Sequence, residues 1–167
     1  MFSHYTLKGV IAVSIASVFD QEKIQRLHRS KVVTVQEETP LSEVILTMKS
    51  EKSSVALILN SAQKLAGIFT ERDVLMKVLG KNQDPSTPIR QMMTSSPHYL
   101  KVENSVASAV QLMVRHKVRN VPLLDAENHV ESEVNILNIV AFFVEHFPEV
   151  YNLPPQPNQQ LSSAEGA

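Results

Sequence analysis

TPLSEVILTM, Thr39–Met48, sets apolar side chains at Leu41, Val44, Ile45 and Met48, the i, i+3, i+4, i+7 spacing of a helix with one buried face. NSVASAVQLM, Asn104–Met113, repeats it 65 residues later with Val106, Ala109, Val110 and Met113. Thr39-Pro40 and Asn104-Ser105 are N-cap residue types ahead of each helix. Pro40 is expected at the first helical position, where its missing N–H costs nothing. The same offset then runs outward from the helix without a gap. Ile24 falls on Ile89, Val35 on Leu100, Ile58 on Leu123, Leu59 on Leu124, Leu65 on Val130, Phe69 on Val134, Val74 on Ile139 and Leu75 on Val140. Identity is low, but one register held over about 50 positions of helical and strand pattern marks two copies of one folding unit.

Each copy continues alike. Val55–Leu59 and Val121–Leu124 are short apolar runs bounded by polar turns, Asn60–Lys64 and Asp125–His129, and Leu65–Phe69 and Val130–Val134 read as second strands. A second helix closes each copy, over 71–79 and 136–146. Pro85 and Pro88 break the chain between copies, and Pro148, Pro154, Pro155 and Pro157 open a polar tail, 148–167, expected to be disordered. The predicted fold is α+β, with an N-terminal extension (1–23), a first motif (24–84) and a second motif (85–147). A unit of about 60 residues with two helices on one small sheet leaves the other sheet face open and is marginal alone. Two copies facing each other would bury it, giving a pseudo-two-fold with two equivalent clefts.

Composition narrows the function classes. Of 167 residues, 43% are hydrophobic and 20% charged, so a packed core is expected. With 16 basic against 17 acidic residues the net charge is -1, and no overall positive field draws nucleic acid or an anionic membrane. Cysteine is absent, which excludes disulfides and thiolate chemistry and fits a reducing compartment, with cytoplasm the default. The apolar run Gly9–Phe19 is too short for a bilayer, which needs roughly 20 residues, and reads as a buried strand or short helix rather than a signal peptide.

No HExxH pair, G-x-S-x-G elbow, P-loop or G-x-G-x-x-G turn occurs, and the six histidines (His4, His28, His98, His116, His129 and His146) are scattered. Neither a metal site nor an enzyme is expected. Arg115–Arg119, RHKVR, lacks the interleaved aromatics of a single-strand platform and reads as a solvated helix end.

One stretch carries chemistry: GIFTERD, Gly67–Asp73. Thr70 and Asp73 match a capping box, in which each side chain satisfies a backbone N–H of the first helical turn. A helix start also suits a phosphate, and a carboxylate one turn in can accept both hydroxyls of a ribose. The residues alone leave both readings open.

VVTVQEETPLSEVI (Val32–Ile45) and LAGIFTERDVL (Leu65–Leu75), with IRQMMTSSP (Ile89–Pro97), VRNVPLLD (Val118–Asp125) and the helix from Asn104, resemble tandem cystathionine-β-synthase-type (CBS) domains, the paired Bateman module that senses adenine nucleotides. The resemblance spans about residues 24 to 146. It implies that Asp73 holds the ribose diol, Thr70 lies near the phosphate and Ile68 lines the adenine slot. Val118, Arg119 and Asn120 would supply the other wall, Arg119 nearest the phosphates, with Thr94 and the backbone of His98 flanking the base. The implied ligand is AMP, ADP or ATP, with S-adenosylmethionine as the other candidate, and the implied assembly is a homodimer paired through its helices. In the second copy Gly67, Thr70 and Asp73 become Ser132, Asn135 and Asn138, and Arg119 corresponds to Ser54 in the first. One competent and one weak or vestigial site are therefore expected. The alternative is a structural interaction module that has lost ligand binding.

Overall fold

A computed structural model describes residues 15–28 and 32–147; the expected polar tail, the first 14 residues and thus part of the Gly9–Phe19 run lie outside the described residues. The rest of that run enters α1 (Ile15–Gln21), which lays Val18 and Phe19 against the second copy. The first copy follows with β1 (Val33–Gln36), α2 (Leu41–Ser50), β2 (Val55–Leu59), β3 (Leu65–Thr70) and α3 (Glu71–Asp73), which runs into a π-helical turn, Val74–Val78. The connecting stretch holds β4 (Thr94–Ser95). The second copy comprises β5 (Leu100–Lys101), α4 (Val106–His116), β6 (Asn120–Leu124), β7 (Val130–Asn135) and α5 (Ile136–His146).

Two sheets result, ordered β1-β2-β3-β4 and β5-β6-β7. In each, the first strand pairs parallel with the second, which pairs antiparallel with the third, and Leu57↔Ile68 answers Pro122↔Glu133 in register. Strand pleating sends Ala56, Ile58 and Phe69 to a core with Val44 and Met48 of α2. Leu123 and Val134 meet Ala109 and Met113 of α4 in the same way. Val55 and Leu57 point to the opposite face and are still fully buried, so both faces of β2 are covered.

The backbone repeats at the sequence offset. Ile24 N–H donates to Asn104 O and Ile89 N–H to Thr39 O; Gln25 N–H to Val102 O and Arg90 N–H to Glu37 O; Val106 N–H to Glu22 O and Leu41 N–H to Thr87 O, all at 2.8–3.1 Å. These bonds exchange segments between the copies. The 3-10 turn Ile24–Arg26 places Ile24, with Leu27, in the second core, while Ile89–Gln91 places Ile89, with Met92, in the first.

Two local expectations are corrected. Pro40 is the N-cap of α2 and not its first helical residue, while the Thr39 hydroxyl turns back to accept from Gln36 N–H. The helix expected over 71–79 is α-helical for a single turn and then widens, with Leu79 N–H reaching Val74 O. The copies differ there in sequence: Lys77 stands where the second copy has the buried Phe142.

Candidate functional site

Thr70 ends β3 in extended conformation and caps α3. Its N–H and its hydroxyl both donate to Asp73 Oδ2, at 2.9 and 2.7 Å, and Asp73 N–H returns a bond to Thr70 Oγ1 at 3.4 Å. The other carboxylate oxygen, Oδ1, lies 2.7 Å from Lys77 Nζ. Burial alone would raise the Asp73 pKa. The hydrogen bonds from Lys77 and Thr70 outweigh it and hold the carboxyl below its ordinary value. Asp73 is therefore an ionised, mostly buried carboxylate at the mouth of β3.

Ile68 is two residues upstream of Thr70, and β4 pairs Thr94 directly with it. Ile68, Thr70 and Thr94 thus lie together at the end of β3, with Asp73 three residues on in α3. Val118, Arg119 and Asn120 lie on the passage from α4 to β6, where Arg119 O accepts from Ile136 N–H. Lys117 adopts a left-handed backbone, φ 55°, that turns the chain off α4 into this passage. His98 stacks on His116 at the end of α4, with ring centroids 3.7 Å apart. No hydrogen bond or ion pair joins the Asp73 group to the Arg119 group, and the exposed Arg119 side chain holds no ion pair, among the described residues. A cavity of about 650 Å³ opens where the two hairpins meet, bordered by Lys64, Leu65, Pro97, His98, Tyr99, Leu124 and Asn128; of the predicted site residues it touches His98.

Two residues that sequence reasoning missed complete the picture. Lys77 is the first. The second is Glu133, 3% exposed, in the position that Ile68 holds in the first copy. Asn120 Nδ2 donates to Glu133 Oε2 at 3.1 Å, and the Asn135 side chain donates to the same carboxyl. Asn135 can do so because its Oδ1 already accepts from Leu137 and Asn138 N–H as the cap of α5. On the face of the second sheet away from its helix core, Asn120, Glu133 and Asn135 thus stand where the first sheet has Val55, Ile68 and Thr70. Comparing the copies at the same offset would have exposed both substitutions.

Burial pushes the Glu133 pKa up, and the two asparagine bonds offset this only in part. A carboxyl raised on folding favours the fold fully below its unfolded pKa and loses that contribution as pH rises through the folded value. Glu133→Gln, uncharged throughout, should melt a few degrees above wild type near neutral pH. The gap should close as pH falls towards 4.5. Thermal melts of both proteins across that range check it.

The CBS domain family model matches residues 24–80 and 89–144, and the chain belongs to that family. Over 106 residues it is 30% identical to CBS domain-containing protein CBSCBSPB5 of Arabidopsis thaliana, covering 63% of this chain and 19% of the relative. The match thus spans about a fifth of the length of this relative and of the similar Arabidopsis thaliana protein CBSCBSPB1. Among solved structures it resembles CBS domain protein PAE2072 from Pyrobaculum aerophilum complexed with AMP (TM-score 0.67, 19% identity, 74% of this chain and 96% of that one). It also resembles the cytosolic domain of the Mg2+ channel MgtE in complex with ATP (TM-score 0.62, 16% identity, 75% and 50%). The fold is that of a CBS pair. No helix among the described residues is long and apolar enough to cross a membrane.

Proposed function

We propose that this chain is a regulatory module that binds an adenine nucleotide between its two copies and passes occupancy to another protein through a change of shape. The observation that carries the reading is the Thr70–Asp73 arrangement: an ionised carboxylate beside an apolar strand edge, in a family with members solved with AMP and with ATP. Asp73 takes the ribose diol, Thr70 faces the phosphate, and Ile68 and Thr94 flank the base with His98. Val118, Arg119 and Asn120 supply the facing wall. In the second copy Asn135 and Asn138 cap α5 with no carboxylate, and buried Glu133 stands where the base would lie, which favours one nucleotide per chain. The role is regulatory rather than catalytic; hydrolysis of ATP by the purified chain would overturn that.

Calorimetry with AMP, ADP, ATP and S-adenosylmethionine tests the reading. One site per chain is expected for at least one of them, with thermal stabilisation by RT ln(1 + [L]/Kd). Two equal sites would contradict the asymmetry. No heat and no thermal shift with any of the four would leave a structural interaction module. Arg119→Ala should weaken ATP by about tenfold, the scale of one charge-assisted hydrogen bond, and leave adenosine nearly unchanged. Equal losses for both would remove Arg119 from the phosphates.

Exposed apolar side chains on the helices, Leu75, Met76 and Leu79 in the first copy and Leu137, Val140 and Val144 in the second, favour a homodimer paired through these faces. A monomer in sedimentation equilibrium would overturn it.

A further inference from the structure

We propose that Lys77 is a positioning residue that ties the ribose-binding carboxylate to the chain connecting the two copies, so that filling the nucleotide site is felt at that connection. The inference rests on the nucleotide reading above. Lys77 Nζ lies 2.7 Å from Asp73 Oδ1 and donates to Met92 O at 2.8 Å. One ammonium thus bridges the predicted ribose acceptor and a carbonyl that lies just before the crossing into the second copy. Lys77 sits in the π-helical turn, and the second copy has buried Phe142 in its place. There Asn138 accepts from Asn135 N–H, as Asp73 does from Thr70, without a cation. The bridge belongs to the copy that carries the acid.

The far end of the bridge is firmly seated. Met92 is buried in the first core, and the N–H groups of Met92 and Met93 both donate to Ile89 O. Met93 lies directly on Gly67, where a Cβ would stand 2.2 Å from its sulfur. Thr94 and Ser95 follow at once and pair with Ile68 and Gly67, the strand predicted to line the base. A displacement of Lys77 is therefore passed to β4 within two residues.

Counting donors shows why occupancy must disturb this set. A carboxylate offers about four lone-pair positions. Thr70 N–H, Thr70 O–H and Lys77 take three of them, and a ribose diol brings two more donors. One resident donor has to give way. The Thr70 hydroxyl can rotate about its own C–O bond and turn to the phosphate. Lys77 cannot follow a moving carboxylate without shifting its bond to Met92 O. Lys77 accordingly stays on Asp73, and the rebonding of that carboxylate to the diol is felt at Met92 O through it.

Amide hydrogen exchange on the full chain, with and without AMP, tests the tie, using Lys77→Met to remove the donors and Lys77→Arg to restore them. In wild type, AMP should slow exchange at Thr70–Asp73 and at the Met92 and Met93 amides, which carry the bridged peptide and touch no assigned part of the nucleotide. Lys77→Met should keep the first effect, lose the second and bind AMP about three- to tenfold more weakly, less than the loss of one charge-assisted bond because Lys77 acts through Asp73. Lys77→Arg should recover both. Undiminished AMP-dependent slowing at Met92 and Met93 in a folded Lys77→Met overturns the inference. Should wild type bind no AMP, the nucleotide reading falls and coupling to occupancy falls with it. The ligand-free comparison still reports on the bridge separately: faster exchange at Met92 and Met93 in Lys77→Met supports it, and equal exchange removes it.

Discussion

Asp73→Ala should weaken AMP or ATP binding by about tenfold to a hundredfold, because the hydrogen bonding lost involves a charged acceptor and is worth roughly 1.5–3 kcal/mol in all. It should also lower stability, since Thr70 N–H loses its acceptor and Lys77 its counter-ion. Asp73→Asn separates the two effects. The second copy shows that asparagine fills the cap: Asn135 N–H donates to Asn138 Oδ1 at 2.8 Å, and Asn138 N–H donates back to Asn135 Oδ1. The asparagine variant should therefore melt closer to wild type than the alanine variant while binding nucleotide nearly as poorly. The stability term has a sign that pH exposes. Asp73 is held below its ordinary pKa of 3.8, so its contribution is complete above that value and is lost as pH falls through the folded one. Melts at neutral pH and below 3.8 should show the wild-type advantage over Asp73→Ala shrinking in acid. Unchanged affinity in a folded Asp73→Asn would return Thr70 and Asp73 to a plain helix cap.

The two-copy architecture was legible because burial repeats even where identity does not. Val44 and Ala109, Met48 and Met113, and Phe69 and Val134 are all buried at matching positions. Hydrophobic spacing says that a side chain is inside; it does not say against what. That is why the exchange of Ile24 and Leu27 for Ile89 and Met92 between the cores escaped a reading in chain order. The short strands β4 and β5, of two residues each, carry too little pattern to find. The cap at Thr70 was readable since T-x-x-D is a local motif whose chemistry acts within one turn. Lys77 is not legible in the sequence, because a lysine beyond the motif looks like a solvated helix face until its two acceptors, Asp73 and Met92 O, are located. Glu133 had the clearest available signal, a carboxylate aligned with Ile68, and only burial reveals that it is held inside by two asparagines.

The exchanged segments make the second large effect a statement about the whole chain. Phe69 is fully buried in the first core beside Ile89. Phe69→Ala should cost about 3–5 kcal/mol, from lost apolar burial and the cavity left behind. That corresponds to a fall in Tm on the order of 10 °C for a chain of this size. Were the copies separate domains, only the first sheet would feel it. But the first core is completed by Ile89 and Met92 from the connection and the second by Ile24 and Leu27 from before β1, and the bonds Ile24 N–H to Asn104 O and Ile89 N–H to Thr39 O cross between them. Neither core can be dismantled without releasing a segment continuous with the other. Denaturant unfolding followed by amide signals from Ile58 and Leu123 should show one shared midpoint that Phe69→Ala lowers equally at both. Val134→Ala, at the matching position, should lower both by a smaller amount, since a valine leaves less volume than a phenylalanine ring. If the Leu123 midpoint stays at its wild-type value in Phe69→Ala, the copies unfold independently and the exchanged segments do not couple them.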